Sequence, residues 1–381
     1  MSTLFKPLKV GEAQLGHRVA MAPLTRFRSD DNWLPLLPMV KEYYEQRASV
    51  PGTLILSEGM FPSAAASGGT TNAPGIWSTE QVEAWRNITD AVHAKGCFIW
   101  CQLWHPGRAG SERYSGPAAT QSTPEVITRT VSSSAVPIGP NSQVPEEMSE
   151  NEIWDTVAQY AAAARNAIAA GFDGVEVHSA NGYLPDQFLQ DTCNKRTDAW
   201  GGSVENRARF PIEVVKAVAA AIGASRTGIR LSPYSDFGGM LMDDPDPTFR
   251  YLVSQLRPLG LGYLHLIEAR ISGNIESACG GQRSVDWLVR LWENASPVLL
   301  AGGFTPESAR KAVDQIYAGY DVVIAFGRAF ISNPDLVFRI KKAIELVKHD
   351  RSVFYTPKLA KGYIDYPFSL QFESQLVSHA I

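Results

Sequence analysis

Short apolar runs, each leading into a longer stretch with helical spacing, recur along this chain. They cover residues 19–25, 53–59, 97–104, 174–179, 227–233, 263–270, 298–304 and 321–328. The stretches between them carry helix punctuation. Ser78 with Gln81 and Ser149 with Glu152 have the spacing of capping boxes, and Thr305 before Pro306 reads as a cap with a first-turn proline. Gly96 and Gly171 stand where two of these helices should stop. Ile153, Val157, Tyr160, Ala164 and Ile168 fall at spacings that line one helical face. Strands alternating with helices imply right-handed crossovers and a parallel sheet, and eight units can close into an α/β (β/α)8 TIM barrel. The expectation is one barrel domain over residues 1–381, with an open doubly wound sheet as the alternative. The lack of a GxGxxG after the first strand argues against that alternative.

One stretch breaks the alternation. Residues 105–148, rich in Ser, Thr, Pro and Gly, separate the third strand from its helix. An insertion this long reads either as a functional excursion over a barrel mouth, a loop or lid, or as surface loop. Composition narrows the partners. The 381 residues are 45% hydrophobic, and 35 basic against 39 acidic residues give a net charge of −4 without a dense Lys/Arg cluster. Neither nucleic acid nor a membrane surface is therefore an expected partner, and a small molecule is. Cys97, Cys101, Cys193 and Cys279 show no zinc or disulfide pattern and read as reduced thiols. No signal-peptide pattern opens the chain, so a cytoplasmic location is expected, with the glycosylation triplets at Asn87 and Asn294 unused. Monomer and homodimer both remain open.

In such a barrel the chemistry sits where strands end and loops begin. Those positions hold Pro23, Leu24, Thr25, Glu58, Gly59, Gln102, Trp104, His178, Asn181, Tyr183, Arg230, Glu268, Arg270, Gly302, Gly303, Gly327 and Arg328. Gly302, Gly303 and Gly327 offer bare backbone N–H groups where barrels commonly bind phosphate, and Arg328 adds a bidentate cation; tight turns are the other reading of the glycines. His178, Asn181 and Tyr183 bring two neutral hydrogen-bond donors and a phenol to the exit of one strand. His178 alone reads as a structural donor, and the added Asn and Tyr point to a site. No second His or Cys stands at ligand spacing, so no metal is expected. Arg230 lies inside an apolar strand and needs an anionic or carbonyl partner, either Glu176 or Glu58 in a salt bridge or a bound anionic ring system. Gln102 poses the same question, because an amide pointing into a barrel calls for something planar with donors and acceptors.

Several segments together resemble the old yellow enzymes, FMN-dependent ene reductases on a (β/α)8 barrel. They are Met21-Ala22-Pro23-Leu24-Thr25-Arg26, Gln102-Leu103-Trp104, His178 through Tyr183, Gly201-Gly202-Ser203 through Phe210, Arg230-Leu231-Ser232-Pro233, Ala301-Gly302-Gly303 and Phe326-Gly327-Arg328. The resemblance implies that Pro23, Leu24 and Thr25 line the flavin and that Gly59 and Gln102 contact its ring. It places Arg230 beside the edge that gains negative charge on reduction, and Gly302, Gly303, Gly327 and Arg328 on the phosphate. His178 and Asn181 would hold the activating carbonyl oxygen of an electron-poor alkene, at ~2.7–4 kcal/mol per donor. Tyr183, a phenol, would protonate the α-carbon opposite the hydride, giving net trans reduction.

NADPH or NADH would share the same mouth with the substrate in ping-pong order. Trp104, Phe354 and Tyr355 would wall the pocket, although ordinary core packing also fits them. Thr25 in place of Cys is similar to the yeast and plant branch, with fungal relatives nearest. Asn181 stands where some members have His, and Gly303 where yeast members often have Asn. Flavin-dependent isomerisation or oxidation, and a flavin-free lyase or hydrolase, are the alternatives.

Overall fold

A computed structural model of the chain describes residues 2–110, 129–273, 275–276 and 283–379. Eight parallel strands form a closed barrel: β1 (Val19–Met21), β2 (Leu54–Met60), β3 (Phe98–Leu103), β4 (Gly174–Ser179), β5 (Thr227–Leu231), β6 (Tyr263–Ile267), β7 (Val298–Ala301) and β8 (Val322–Phe326). Each pairs with the next, and β8 closes on β1 through Ile324 opposite Val19. After the strands come α1 (Met39–Arg47), α2 (Thr79–His93), α3 (Glu150–Ala169), α4 (Val204–Ile222), α5 (Asp246–Leu256), α6 (Asp286–Trp292), α7 (Pro306–Lys311) and α8 (Leu336–Lys342). The capping boxes at Ser78/Gln81 and Ser149/Glu152 are both formed, and Thr305 caps α7 with Pro306 in its first turn. On α3, Ile153, Val157, Tyr160 and Ala164 are buried as expected, but Ile168 is only half-buried and Ala167 takes the inward position. A step of four overshoots the 3.6-residue turn, so the stripe has drifted by the last turn.

Strand alternation divides the core in two. Outward side chains such as Val19, Ile55, Val175, Ile229 and Leu264 pack under the helices in the larger cluster. Inward ones, including Ala20, Leu56, Trp100, Tyr263, Leu299 and Val323, form a second cluster inside the barrel. A short hairpin, Leu8–Val10 with Ala13–Leu15, plugs the lower end with Leu8, Val10, Ala13 and Leu15. Large inward residues sit beside small ones: a Cβ on Gly174 would lie 2.6 Å from the Trp100 ring. Truncating a side chain like Trp100 in such packing costs about 3–5 kcal/mol. With the lower end filled, open space is left at the upper mouth.

The described parts of the 105–148 excursion are ordered against the barrel. Val131–Ser132 pairs with Glu146–Glu147, and the Ser132 and Ser133 hydroxyls donate to the side-chain and main-chain oxygens of Gln187 at 2.9 and 2.7 Å. Arg108 ties the segment to the Val136 and Gly238 carbonyls. Residues 111–128, and Cys279 among the cysteines, lie outside the described residues. Cys97, Cys101 and Cys193 are buried and unpaired. Among the described residues no helix is long and apolar enough to cross a membrane.

Candidate active site

A cavity of about 1130 Å³ opens at the C-terminal ends of the strands, just above the range usual for small-molecule sites. The ends of β1, β3, β4, β5, β7 and β8 deliver Pro23, Leu24, Thr25, Gln102, Trp104, His178, Asn181, Tyr183, Arg230, Gly302, Gly303, Gly327 and Arg328 to its wall. Phe354 and Tyr355 join them from far along the chain. Glu58, Glu268 and Arg270 do not line it, and neither does Gly59. It follows a register shift in the β2–β3 pairing, and its Cβ position would lie 2.9 Å from the Trp104 side chain, so this glycine makes room for Trp104 and does not line the cavity. None of the described residues of 105–148 lines it either.

The His178–Tyr183 turn is built tightly. Asn181 takes a left-handed φ of 57°, which Asn tolerates. Its main-chain N–H donates to Ser232 Oγ at 2.8 Å, and the Gly182 main-chain N–H to Asp186 Oδ2 at 2.9 Å. The turn brings the Tyr183 ring edge-on to both His178 and Trp104, with centroids 4.8 and 5.2 Å apart. His178 Nδ1, Asn181 Oδ1 and Arg230 Nε are buried there without a hydrogen-bond partner. Three such atoms converging on one cavity leave a cost of about 1–3 kcal/mol each unless a ligand pairs them. Burial, reinforced by the Arg230 charge, holds His178 well below the usual histidine range, so it is a neutral donor.

The salt-bridge alternative for Arg230 is not realised. Glu176 instead accepts from Gln102 Nε2 at 2.8 Å and Tyr263 Oη at 3.0 Å and faces His265 Nδ1 at 2.7 Å. Glu58 lies elsewhere, its amide donating to the Tyr44 hydroxyl and its Oε2 buried without a partner.

On the opposite side, Gly302 has φ 121° and lies so close to β6 that a Cβ would come within 2.9 Å of Glu268. Only glycine fits there. Arg270 crosses Gly303, its Nε donating to the Gly302 carbonyl and its guanidinium lying 4.6 Å over the Phe304 ring. A side chain at position 303 would press on Arg270, which accounts for glycine at that place.

Phe354 and Tyr355 reach the mouth because two buried arginines of the first loop strap the C-terminal segment down. Arg26 donates to the Phe354 and Gly362 carbonyls at 3.0 and 2.6 Å. Arg28 donates to Phe354 O, Leu359 O and Thr356 Oγ1 at 3.0, 2.9 and 2.7 Å. Phe27, Asp31, Asn72, Phe237 and Lys358 also line the cavity and were not foreseen. Lys358 pairs with Asp31 at 2.7 Å across the rim.

The cavity suits a flavin mononucleotide. It offers a glycine-lined end beside Arg328 for a phosphate, the orphaned nitrogens His178 Nδ1 and Arg230 Nε at the other end for ring and substrate oxygens, and aromatic walls. The model of the NADH:flavin oxidoreductase / NADH oxidase family matches residues 3–346. The chain belongs to this family. It is an FMN-dependent oxidoreductase of the old yellow enzyme type. It is 52% identical over 380 residues to chanoclavine-I aldehyde reductase fgaOx3 of Penicillium roqueforti, covering all of both chains. It is 36% identical to the solved old yellow enzyme homologue of Zymomonas mobilis, covering 96% of this chain and 99% of that one with a TM-score of 0.82. A morphinone reductase solved in complex with tetrahydroNAD is 37% identical, with coverages of 97% and 98% and a TM-score of 0.83.

Proposed function

We propose that this flavin oxidoreductase is an ene reductase, which uses NADPH or NADH to reduce the activated C=C bond of α,β-unsaturated carbonyl compounds. The observation that carries the reading is the convergence of neutral His178, Asn181 and the Tyr183 phenol on one wall of a cavity with unpaired buried polar atoms. Bound FMN supplies hydride transfer, from the nicotinamide and then to the β-carbon of the alkene. His178 and Asn181 hold the carbonyl oxygen and stabilise the enolate charge that develops on it, the logic of an oxyanion hole. Tyr183 gives its phenolic proton to the α-carbon.

Thr25, Gln102 and Arg230 hold the ring, and Gly302, Gly303, Gly327 and Arg328 the phosphate. Trp104, Phe354 and Tyr355 exclude water and select substrate shape. Reductant and alkene take turns in the one cavity, giving ping-pong kinetics. The relative from P. roqueforti is named an aldehyde reductase, and unsaturated aldehydes belong in the substrate class proposed here.

Anaerobic half-reactions test the reading. NADPH should bleach the flavin, and cyclohexenone or an enal should restore its colour. Flavin that is reduced but never reoxidised by alkene would instead point to isomerisation or alkene-forming oxidation.

A further inference from the structure

Beneath the cavity the inward side chains of β3 to β6 form a closed polar layer with Glu176 at its centre, fully buried. One carboxylate oxygen takes the Gln102 amide; the other takes the Tyr263 hydroxyl and faces His265 Nδ1. Tyr263 can reach it because Gly228, its strand neighbour, has no side chain: a Cβ there would lie 2.6 Å from the phenol ring. Burial pushes the Glu176 carboxyl up, but His265, Arg230 and Gln102 outweigh it and hold the group below the usual range, as an anion. Opposite an anion, His265 Nδ1 carries the proton, which leaves the buried and unpartnered Nε2 as its lone pair. Burial keeps His265 itself on the neutral side.

The layer therefore holds one full negative charge, Glu176, and one full positive charge, Arg230. Arg230 stands directly across from His178 on one side and His265 on the other. Its Nε makes no hydrogen bond, and Glu176 is the strongest of the groups that favour its charge against burial. The carboxylate also uses one Gln102 N–H and so fixes the orientation of that amide.

Resting on the FMN reading above, we infer that Glu176 is a positioning residue that offsets the Arg230 charge and so lowers the reduction potential of a flavin in this cavity. Reduction adds negative charge, which an unopposed guanidinium would favour. A carboxylate on the neighbouring strand, level with Gly228 two residues before Arg230, takes part of that preference away and leaves the reduced flavin a stronger hydride donor.

The test is the two-electron potential of bound FMN, read anaerobically against a reference dye, in the parent, Glu176→Gln and Tyr263→Phe. Glu176→Gln should favour the reduced flavin at least tenfold, an upward shift of ~30 mV for a two-electron couple. Tyr263→Phe keeps the carboxylate but removes a donor that disperses its charge, and should move the potential down by less than that. Should Glu176→Gln fail to fold, Tyr263→Phe alone decides, and a potential at or above the parent value overturns the inference. A merely structural Glu176 would weaken FMN retention in both variants while leaving both potentials unchanged, which also overturns it. Parent protein that takes up no FMN overturns the proposed function and this inference with it, whereas FMN held at unchanged potentials overturns this inference alone.

Discussion

His178 and Arg230 lie directly opposite each other on β4 and β5, and burial reinforced by that guanidinium keeps the imidazole neutral. In the proposed reaction His178 therefore meets an oxygen as a hydrogen-bond donor rather than as a charge. Phenols, which present an oxygen of the same kind as an enolate, should bind the loaded enzyme. His178→Ala should weaken that binding about 10- to 100-fold, in line with a hydrogen bond to a charged group. Absorbance titration measures it, and unchanged affinity counts against the role.

Tyr183 packs edge-on to His178, and the proposed reaction assigns it to the half-reaction that consumes the alkene. Tyr183→Phe should leave reduction by NADPH within about threefold of the parent and slow reoxidation by alkene about 10²- to 10⁴-fold, the usual worth of a positioned acid. Stopped-flow traces of the two half-reactions separate the effects. Equal loss in both contradicts a proton-donor role.

Arg328 and the glycines beside it form the end of the cavity assigned to a phosphate. Arg328→Ala should lower FMN affinity about 10- to 100-fold and leave riboflavin affinity unchanged, because only FMN carries the charge that Arg328 pairs. Fluorescence quenching of each flavin by apoprotein reads both constants. Parallel losses for the two flavins would remove Arg328 from the phosphate.

Much of this was legible in the chain because barrel chemistry is tied to strand ends. The eight apolar runs located the strands, and the residues at their exits named thirteen that line the cavity, among them His178, Asn181, Tyr183 and Arg230. Gly59 was misplaced because a register shift in β2 cannot be seen in a pattern of apolar residues, and the shift leaves it packed on Trp104. Phe27, Asp31, Asn72, Phe237 and Lys358 escaped notice because they sit on loops, with no periodicity to mark them. Lys358, for instance, reaches the mouth only through the strap that Arg28 holds more than three hundred residues away in sequence. A salt bridge between Arg230 and Glu176 was a fair expectation from charge alone. It gave way because Gln102, Tyr263 and His265 reach the carboxylate first.

Glu58 yields a prediction about stability. Burial raises its carboxyl to about 7, against the opposing pull of the Arg26 amide and the Arg26 and Arg28 charges. The folded protein thus binds a proton there that the unfolded chain releases near pH 4.5. Stability from this group is complete below that pH and is lost as pH rises towards 7. Glu58→Gln cannot ionise, so relative to the parent it should gain about 3 kcal/mol between pH 4.5 and 7, then level off. Denaturant melts of both proteins across that range measure the difference. Parallel pH profiles would contradict a raised carboxyl.

FMN held in one cavity with His178 and Asn181 poised over the substrate oxygen is tested most directly by the visible spectrum during a phenol titration. The protein should be yellow, with one FMN per chain and a new long-wavelength absorption band that saturates as phenol is added. Colourless protein that takes up no FMN, or a flavin spectrum that phenol leaves unchanged, would contradict it.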